Sequence, residues 1–522
     1  MADRSPHARF TVIPRFDPTR VHIRRVAALL TPTLLVACAT TAVPIAAAPL
    51  PTPPLLVAAA ATPRSALQRL TDSVTALPQF ANMHWGILIV APERGQTLAA
   101  HDADKLVMPA SNMKLITAAV ALAQLGPDYR WKTTFTGTGA VVNGALLGDL
   151  VVTGRGDPSI SLAMRGADPL VAFAPLVAAL QAAGIHRIDG RVRASDTHAF
   201  PGSPLGFGWE WDDLDADYGA GVTELLFNEG FTTVQVSGCR RASRVACVAT
   251  TPLGTAPALR SSVVVRAAES GPPQLIWWRD SAAVPGITIQ GSIALGDSTE
   301  FTAAQPDDRA TYVAAVTEAL ARAGIRTRGA RLPAHRADTL FVMPSATLAD
   351  VLPAMQKPSQ NQIAEVLFRT LALEQTGVGI PDSGRVVVER QLREWGVRDD
   401  AREIRDGSGL SRHDYLTPRS IVSVLDAMRR APAFAVYRAA LPVAGVDGTL
   451  RSRMTTFAQG RVQAKTGTID KARALSGYVT TADGELLLFS IIANNYSVPT
   501  REVDRAAELI VEQLVTMRRS VP

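Results

Sequence analysis

The sequence of 522 residues predicts an α+β fold in which a β-rich middle region separates two parts built from helices and strands. An apolar run at 115–122 has the length and composition of a buried helix. Two later apolar runs, 472–479 and 486–493, flank an Asp-Gly pair and predict a β-hairpin. Between about 146 and 339, short alternating runs with frequent Gly, Pro and Asp predict an inserted β-rich region of one or two small domains.

The first 63 residues have the pattern of an export signal followed by a spacer. Residues 1–37 combine Arg24 and Arg25 with an apolar stretch shorter than a transmembrane helix needs, which predicts a signal peptide. The sequence around Cys38 also resembles a lipobox, so Cys38 is a candidate for lipidation and membrane anchoring; cleavage further along, among the alanines, is the alternative. Residues 38–63 are rich in Ala and Pro and predict a linker.

Charge and histidine spacing exclude two classes of function. The formal net charge is +6, but residues 1–37 hold six arginines and two aspartates, so the remainder carries only about +2 (6 minus 4). No basic patch interleaved with aromatics is present, and no nucleic-acid partner is predicted. No metal site is predicted either, because ligand spacing is absent among His101, His186, His198 and His413.

Two cysteines remain if Cys38 is lipidated. Cys239 and Cys247 are eight positions apart and could close a hairpin as a disulfide in an oxidising compartment.

The remaining elements follow in chain order: a helix from Ser65 to Ala76, a strand at 84–90, and helices at 363–374 and 502–517.

Three short motifs in a fixed order point to the chemistry: S-x-x-K at 111–114, S-x-N at 359–361 and K-T-G at 465–467. Each motif alone is equally consistent with a helix cap, a solvated charge or an ordinary strand lysine. The ordered set in its local context is far more specific. Ser111 begins the apolar helix, and Lys114, three residues on, shares its face and can reach its hydroxyl, which predicts a nucleophile and base pair.

The K-T-G motif is expected on a strand beside the predicted hairpin. A glycine at 467 would let a substrate backbone approach closely, and an edge strand could pair with an extended peptide. The sequence therefore predicts a binding edge at this strand.

The motif spacing selects among related enzymes. Ser359 follows Ser111 by 248 positions and precedes Lys465 by 106, and the first gap is several times longer than in class A β-lactamases. With this spacing the chain resembles the D-alanyl-D-alanine carboxypeptidase/endopeptidase family, the class C low-molecular-mass penicillin-binding proteins of the penicillin-binding protein 4 type. The resemblance also extends over the segments 109–114, 154–158, 208–213, 357–361, 406–412 and 441–450.

The resemblance implies a serine β-lactamase/D,D-peptidase-like catalytic domain, an antiparallel sheet flanked by helices. That domain would be discontinuous, formed by residues 64–145 and 340–522, with the β-rich insert at 146–339.

Two other segments are interpreted as structural. The glycine-rich turn at 406–409 would border the cleft, and the aromatic and acidic side chains at 209–213 would pack within the insert rather than stack on carbohydrate.

The resemblance also implies roles for the motif residues. Ser111 would attack the D-Ala-D-Ala carbonyl and become acylated, and Lys114 would accept its proton, directly or by a relay through Ser359. Ser359 would pass a proton to the leaving amine, and Asn361 would position Lys114 and the substrate amide.

The strand motif would hold the substrate. Lys465 and the hydroxyls of Thr466 and Thr468, on either side of Gly467, would bind its terminal carboxylate. The backbone N–H groups of Ser111 and Thr468 would form the oxyanion hole.

These roles predict an exported serine-type D-Ala-D-Ala carboxypeptidase, with endopeptidase activity as a second reaction. Its partners would be peptidoglycan stem peptides, with β-lactams as covalent inhibitors, and it would need no cofactor. A β-lactamase is disfavoured by the large insert and by the absence of a recognisable deacylation Glu after Lys114. A non-catalytic penicillin-binding or cell-wall-binding protein is disfavoured by the intact motif set.

Overall fold

The computed structural model describes residues 65–239, 244–254, 256–268, 270–280, 285–333 and 337–519. The predicted signal peptide at 1–37, the linker at 38–63 and the lipidation candidate Cys38 lie outside the described residues. The helices are α1 Ala66–Thr75, α2 Met113–Leu125, α3 Leu162–Arg165, α4 Ala174–Ala182, α5 Asp308–Arg322, α6 Leu348–Gln356, α7 Asn361–Thr376, α8 Pro381–Glu394, α9 Pro418–Arg430, α10 Phe434–Ala439 and α11 Thr500–Thr516.

The strands fall into several sheets. They are β1 His84–Ala91, β2 Gln96–His101, β3 Lys132–Gly137, β4 Val141–Val142, β5 Ala145–Leu146, β6 Leu150–Thr153, β7 Arg187–Ile188, β8 Val192–Ala194, β9 Phe231–Ser237, β10 Cys247–Thr251, β11 Leu259–Ser261, β12 Val264–Arg266, β13 Gln274–Arg279, β14 Ile287–Ala294, β15 Ser298–Ala304, β16 Arg326–Thr327, β17 Asp338–Pro344, β18 Arg402–Glu403, β19 Tyr415–Leu416, β20 Val462–Ile469, β21 Ala472–Thr480 and β22 Leu486–Asn494.

An antiparallel five-stranded sheet, ordered β2-β1-β22-β21-β20, forms the centre of the domain that carries the motifs. Successive side chains of a strand point to opposite faces. Ile87 and Ile89 accordingly pack with α1 and α11, whereas Leu88 packs into a second core with α2, α7 and α9. The sheet is therefore sandwiched between two helical layers, and β20, with its K-T-G motif, lies at its edge.

The β-rich region has two hydrophobic cores of its own. One is built from α4, α5 and the sheets β17-β3-β6-β8 and β16-β7-β5-β4. The other is built from the sheet β10-β9-β15 and from the strands that surround β14. β3 pairs with β6 and β17, so the chain passes from the central sheet domain into the β-rich region near residue 131 and leaves that region near residue 345. The expected boundaries at 145/146 and 339/340 lie between these two points.

The local predictions agree with the structure at most elements. The helix expected from Ser65 is α1, with the Ser65 Oγ accepting from the Gln68 N–H at 3.0 Å as an N-cap. The hairpin is β21 and β22. The structure joins Cys239 and Cys247 in a disulfide at the end of the β9–β10 pair, with their Cα atoms 5.7 Å apart. In the part of the chain that the structure describes, no helix is long and apolar enough to cross a membrane.

Candidate active site

The structure brings the S-x-x-K and S-x-N motifs into direct contact around Lys114. A short 3₁₀ turn, Ala110–Asn112, carries Ser111 into α2, and Lys114 lies in the first turn of that helix. The Lys114 Nζ is 2.9 Å from the Ser111 Oγ, 2.6 Å from the Asn361 Oδ1 and 2.8 Å from the carbonyl oxygen of Ser408. The Lys114 side chain is fully buried beneath Ser111.

Burial makes the neutral form of this lysine accessible. Burial lowers the pKa of Lys114 to about 7, against the opposing effect of the carboxylates of Asp406, Glu365 and Asp414. A neutral amine has two hydrogens and one lone pair. The Asn361 Oδ1 and the Ser408 carbonyl oxygen can only accept hydrogen bonds, so they accept from both N–H groups of the neutral amine. The lone pair of the amine is then left for the proton of the Ser111 hydroxyl. This arrangement allows Lys114 to act as a general base.

A second buried lysine lies under the S-x-N serine. The Lys465 Nζ on β20 donates to the Ser359 Oγ and to the Thr466 carbonyl oxygen, both at 2.8 Å. Burial, together with the charge of Lys114, lowers the pKa of Lys465 well below its ordinary value. Ser359 has a left-handed backbone, with φ at +70°, a strained conformation that is characteristic of functional sites.

Gly467 lies where β20 passes close to the turn that carries Ser111. A Cβ at this position would lie 2.8 Å from the Pro109 carbonyl oxygen and 3.2 Å from the Ala110 Cβ. The glycine therefore allows β20 to pack directly against the turn that carries Ser111. The Asn112 Nδ2 reinforces this contact by donating to the Lys465 carbonyl oxygen at 2.9 Å.

The turn at 406–409 borders the site, and it also supplies a contact that the sequence does not reveal. Its Ser408 carbonyl accepts from Lys114, and Glu365 Oε1 holds the turn by accepting from the N–H groups of Gly407 at 3.0 Å and Ser408 at 2.8 Å. Burial and the nearby Asp406 raise the pKa of Glu365 to about 7. The one available sequence signal is that Glu365 lies four positions after Asn361 on a helix, and therefore on its face.

A cleft of about 850 Å³ opens above these groups. Its floor includes Ser111, Ser359, Asn361, Thr466 and Thr468. Its other walls include Glu210, Asp212, Asp213, Tyr218 and Arg412.

The interpretation of 209–213 as a packing cluster is correct only in part. The Trp209 Nε1 donates to the buried Asp406 Oδ2 at 2.9 Å, a structural contact. Trp211, in contrast, is 85% exposed, and Asp212 and Asp213 face the cleft. Among the described residues, no group of three or more His, Cys, Asp or Glu side chains is arranged to hold a metal ion.

A serine hydroxyl beside a buried lysine with a lowered pKa, on the floor of a cleft in a sheet sandwiched by helices, defines a serine acyl-transfer enzyme. Comparison with known protein families identifies the enzyme family within this class. The chain belongs to the D-Ala-D-Ala carboxypeptidase 3 (S13) family, whose model matches residues 67–515. It is a serine-type D-Ala-D-Ala carboxypeptidase, and the family resemblance and the α+β fold predicted from the sequence are confirmed.

Individual relatives support the same assignment. The chain is 33% identical over 470 residues to a D-alanyl-D-alanine carboxypeptidase of Actinomadura sp. (strain R39), covering 86% of this chain and 83% of the relative. It is 26% identical over 441 residues to the D-alanyl-D-alanine carboxypeptidase DacB of Haemophilus influenzae, covering 82% and 88%. The crystal structure of penicillin-binding protein 4 (dacB) from that organism matches with a TM-score of 0.72 at 24% identity, covering 86% of this chain and 99% of that one.

Proposed function

We propose that this enzyme removes the terminal D-Ala of peptidoglycan stem peptides through an acyl-enzyme on Ser111. The observation that carries the proposal is the set of three contacts of the Lys114 Nζ, with the Ser111 Oγ at 2.9 Å and two carbonyl acceptors. That set matches the hydrogens and lone pair of a neutral amine, which is the form that can take the serine proton.

Acylation would proceed in two proton transfers. The Ser111 Oγ attacks the carbonyl of the penultimate D-Ala while its proton moves to Lys114. The backbone N–H groups of Ser111 and Thr468 would hold the oxyanion, a contribution worth about 3 to 4 kcal/mol per donor in well-studied cases. When the C–N bond breaks, Ser359, which is hydrogen-bonded to Lys465, would deliver its proton to the leaving amine, and the proton taken up by Lys114 would restore the Ser359 hydroxyl. Water then hydrolyses the ester and restores the Ser111 hydroxyl.

The edge strand would bind the substrate carboxylate. Thr466 and Thr468 line the cleft, and Lys465 lies buried directly below it. The Thr466 Oγ1 donates to Thr449 Oγ1 at 2.7 Å, and the Thr468 hydroxyl accepts from the Arg473 guanidinium, so both hydroxyls are oriented. We propose that these two hydroxyls, with the amine below them, recognise the carboxylate that D-Ala-D-Ala peptides and penicillins share.

The acidic wall suits a substrate with a free amine. Asp212 and Asp213 face the cleft beside Glu210, which pairs with Arg412, and burial together with the neighbouring carboxylates raises the pKa of Asp213 above its ordinary value. A cation placed there would relieve the repulsion among these groups. The diamino acid of a stem peptide carries such an amine, and the same acylation would also cleave bonds from D-Ala to a diamino acid in cross-links.

Two further properties follow as proposals. Penicillin-binding protein 4 of Haemophilus influenzae has been crystallised with a β-lactam, and we expect β-lactams to acylate Ser111 in the same cleft. The predicted leader and the Cys239–Cys247 disulfide support export to the periplasm or cell envelope. Anchoring by lipid at Cys38 stays a proposal.

The test follows D-Ala release from a pentapeptide ending in D-Ala-D-Ala, alongside labelling with a fluorescent penicillin. The protein lacking residues 1–63 should perform both reactions, and Ser111→Ala should lose both. Ser73→Ala, at an exposed position on α1, is the matched control and should keep both. Labelling without D-Ala release would instead indicate a binding protein, and rapid hydrolysis of the penicillin would indicate a β-lactamase.

A further inference from the structure

The insert is hydrogen-bonded to the N-terminus of the helix that carries Asn361. Gln362, the next residue on α7, is fully buried, and its Nε2 lies within hydrogen-bonding distance of three main-chain carbonyl oxygens of the insert. These belong to Asp217 at 3.1 Å, Tyr218 at 3.2 Å and Ala220 at 3.0 Å. The Gln362 Oε1 accepts from the Gln360 Nε2 at 2.8 Å, which fixes the orientation of the Gln362 amide.

The same stretch of insert determines the orientation of Asn361. The Asn361 Nδ2 donates to the Tyr218 carbonyl oxygen at 2.9 Å, while its Oδ1 accepts from Lys114 at 2.6 Å. An amide has a donor end and an acceptor end, and a carbonyl oxygen can pair only with the donor end. The Tyr218 carbonyl therefore holds the amide with its oxygen facing Lys114. A rotation by 180° would present an N–H to Lys114 and remove one of the two acceptors that leave the lysine lone pair free.

The stretch is also fixed on its other side. The Tyr218 hydroxyl donates to Asp213 Oδ1 at 2.8 Å, and Thr302 on β15 donates to Asp217 Oδ2 at 2.8 Å. The Ala304 N–H donates to the Asp215 carbonyl oxygen at 2.9 Å. Segment 213–220 is thus hydrogen-bonded on one side to the insert sheet and on the other to the N-terminus of α7.

We propose that segment 213–220 of the insert positions Asn361 for acylation and that Gln362 is the positioning residue that holds the segment in place. Gln362 acts through the Tyr218 carbonyl on the Asn361 amide, and through that amide on Lys114. The insert is then part of the catalytic machinery, although the hydrogen-bond partners of Lys114 among the described residues all lie outside it. This inference rests on the roles proposed above for Ser111 and Lys114.

Gln362→Leu tests the inference, because leucine has a similar volume and cannot donate. Acylation by a fluorescent penicillin at a series of concentrations separates the binding constant from the acylation rate constant. We expect the acylation rate constant to fall about 10- to 100-fold, which is the size of effect expected when a catalytic group is displaced. The binding constant should stay nearly unchanged. Gln391→Leu is the matched control, since Gln391 is a buried glutamine on α8 whose partners, Gln124 and Glu394, belong to no motif. It should acylate at the wild-type rate.

A double-mutant cycle separates positioning from a general packing defect. In an Asn361→Ala background Gln362→Leu should cause no further loss, because the residue it acts through is gone. A full additional loss there, or a wild-type rate constant in the single variant, would overturn the inference. Gln362→Asn, which keeps the amide on a shorter side chain, serves if Gln362→Leu does not fold, and it should also acylate more slowly. A wild-type protein that is not acylated at Ser111 would overturn the proposed function instead.

Discussion

The sheet domain and the insert contribute to the same cleft in different ways. The sheet domain supplies the reacting groups, with Lys114 and Lys465 fully buried under the cleft floor. The insert supplies an acidic wall at 210–213 and a main-chain carbonyl that fixes Asn361. Burial lowers the pKa of both lysines, whereas the acidic side chains of the insert line the cleft, where a substrate can reach them. The two lysines are thus buried below the cleft, and the recognition surface is added by a region that carries none of the three motifs.

The largest effect should come from removing the buried base. Lys114→Ala should reduce acylation by penicillin about 10³-fold, within the range for loss of a general base. Lys132→Ala, at an exposed position on β3 of the insert, is the control and should acylate normally. A Lys114→Ala variant within tenfold of the wild-type rate would mean that another group takes the Ser111 proton.

A smaller effect is expected from disturbing the contact between β20 and the Ser111 turn. A methyl at Gly467 would collide with the Pro109 carbonyl oxygen and with the Ala474 Cβ at 2.9 Å, so Gly467→Ala should slow acylation about 10²-fold by displacing the nucleophile. Gly254→Ala, in the insert, adds a methyl that meets no atom within 4 Å and should have no effect. Equal rates for the two variants would contradict the packing role given to Gly467.

The pH dependence should report the Lys114 environment. Because burial lowers the pKa of Lys114 to about 7, the reactive neutral form is lost as pH falls, and acylation should drop about tenfold per pH unit well below 7. Stopped-flow measurement of acylation between about pH 5.5 and 8.5 follows this acidic part of the pH–rate profile. Lys132→Ala, the exposed control on β3, should leave its midpoint in place. A flat profile across this interval would contradict a lysine base with this pKa.

The smallest effect on catalysis is expected from the insert disulfide. Replacing Cys239 and Cys247 by serine should keep acylation within about twofold, because neither cysteine lines the cleft, yet lower the stability of the insert by about 2 kcal/mol. Thermal unfolding and penicillin labelling of the same samples check both expectations. A large loss of acylation would show that the β9–β10 pair communicates with segment 213–220.

The sequence predicts local relationships well, and long-range ones only through the motifs. Ser111 and Lys114 can be paired because three residues on a helix share a face, and the β21–β22 hairpin because its strands adjoin the Asp-Gly turn. The contact of Lys114 with the Ser408 carbonyl joins residues 294 positions apart, and that of Asn361 with Tyr218 joins residues 143 apart. Main-chain carbonyls leave no residue signature, so these contacts could not be predicted.

The boundary expected at 145/146 illustrates the same limit. The strand β3 has the same local pattern as a strand of the central sheet, and only its pairing with β17, about 200 positions later, assigns it to the insert. Pairing partners that lie so far apart in sequence are not specified by local periodicity.

The most direct test of Ser111 as the nucleophile is to locate the residue that a β-lactam modifies covalently. The wild-type protein would be treated with penicillin, digested, and mapped by mass spectrometry. One adduct is expected, on the peptide that contains Ser111, and none in Ser111→Ala. An adduct on any other residue, or one that persists in Ser111→Ala, would contradict the assignment of the nucleophile.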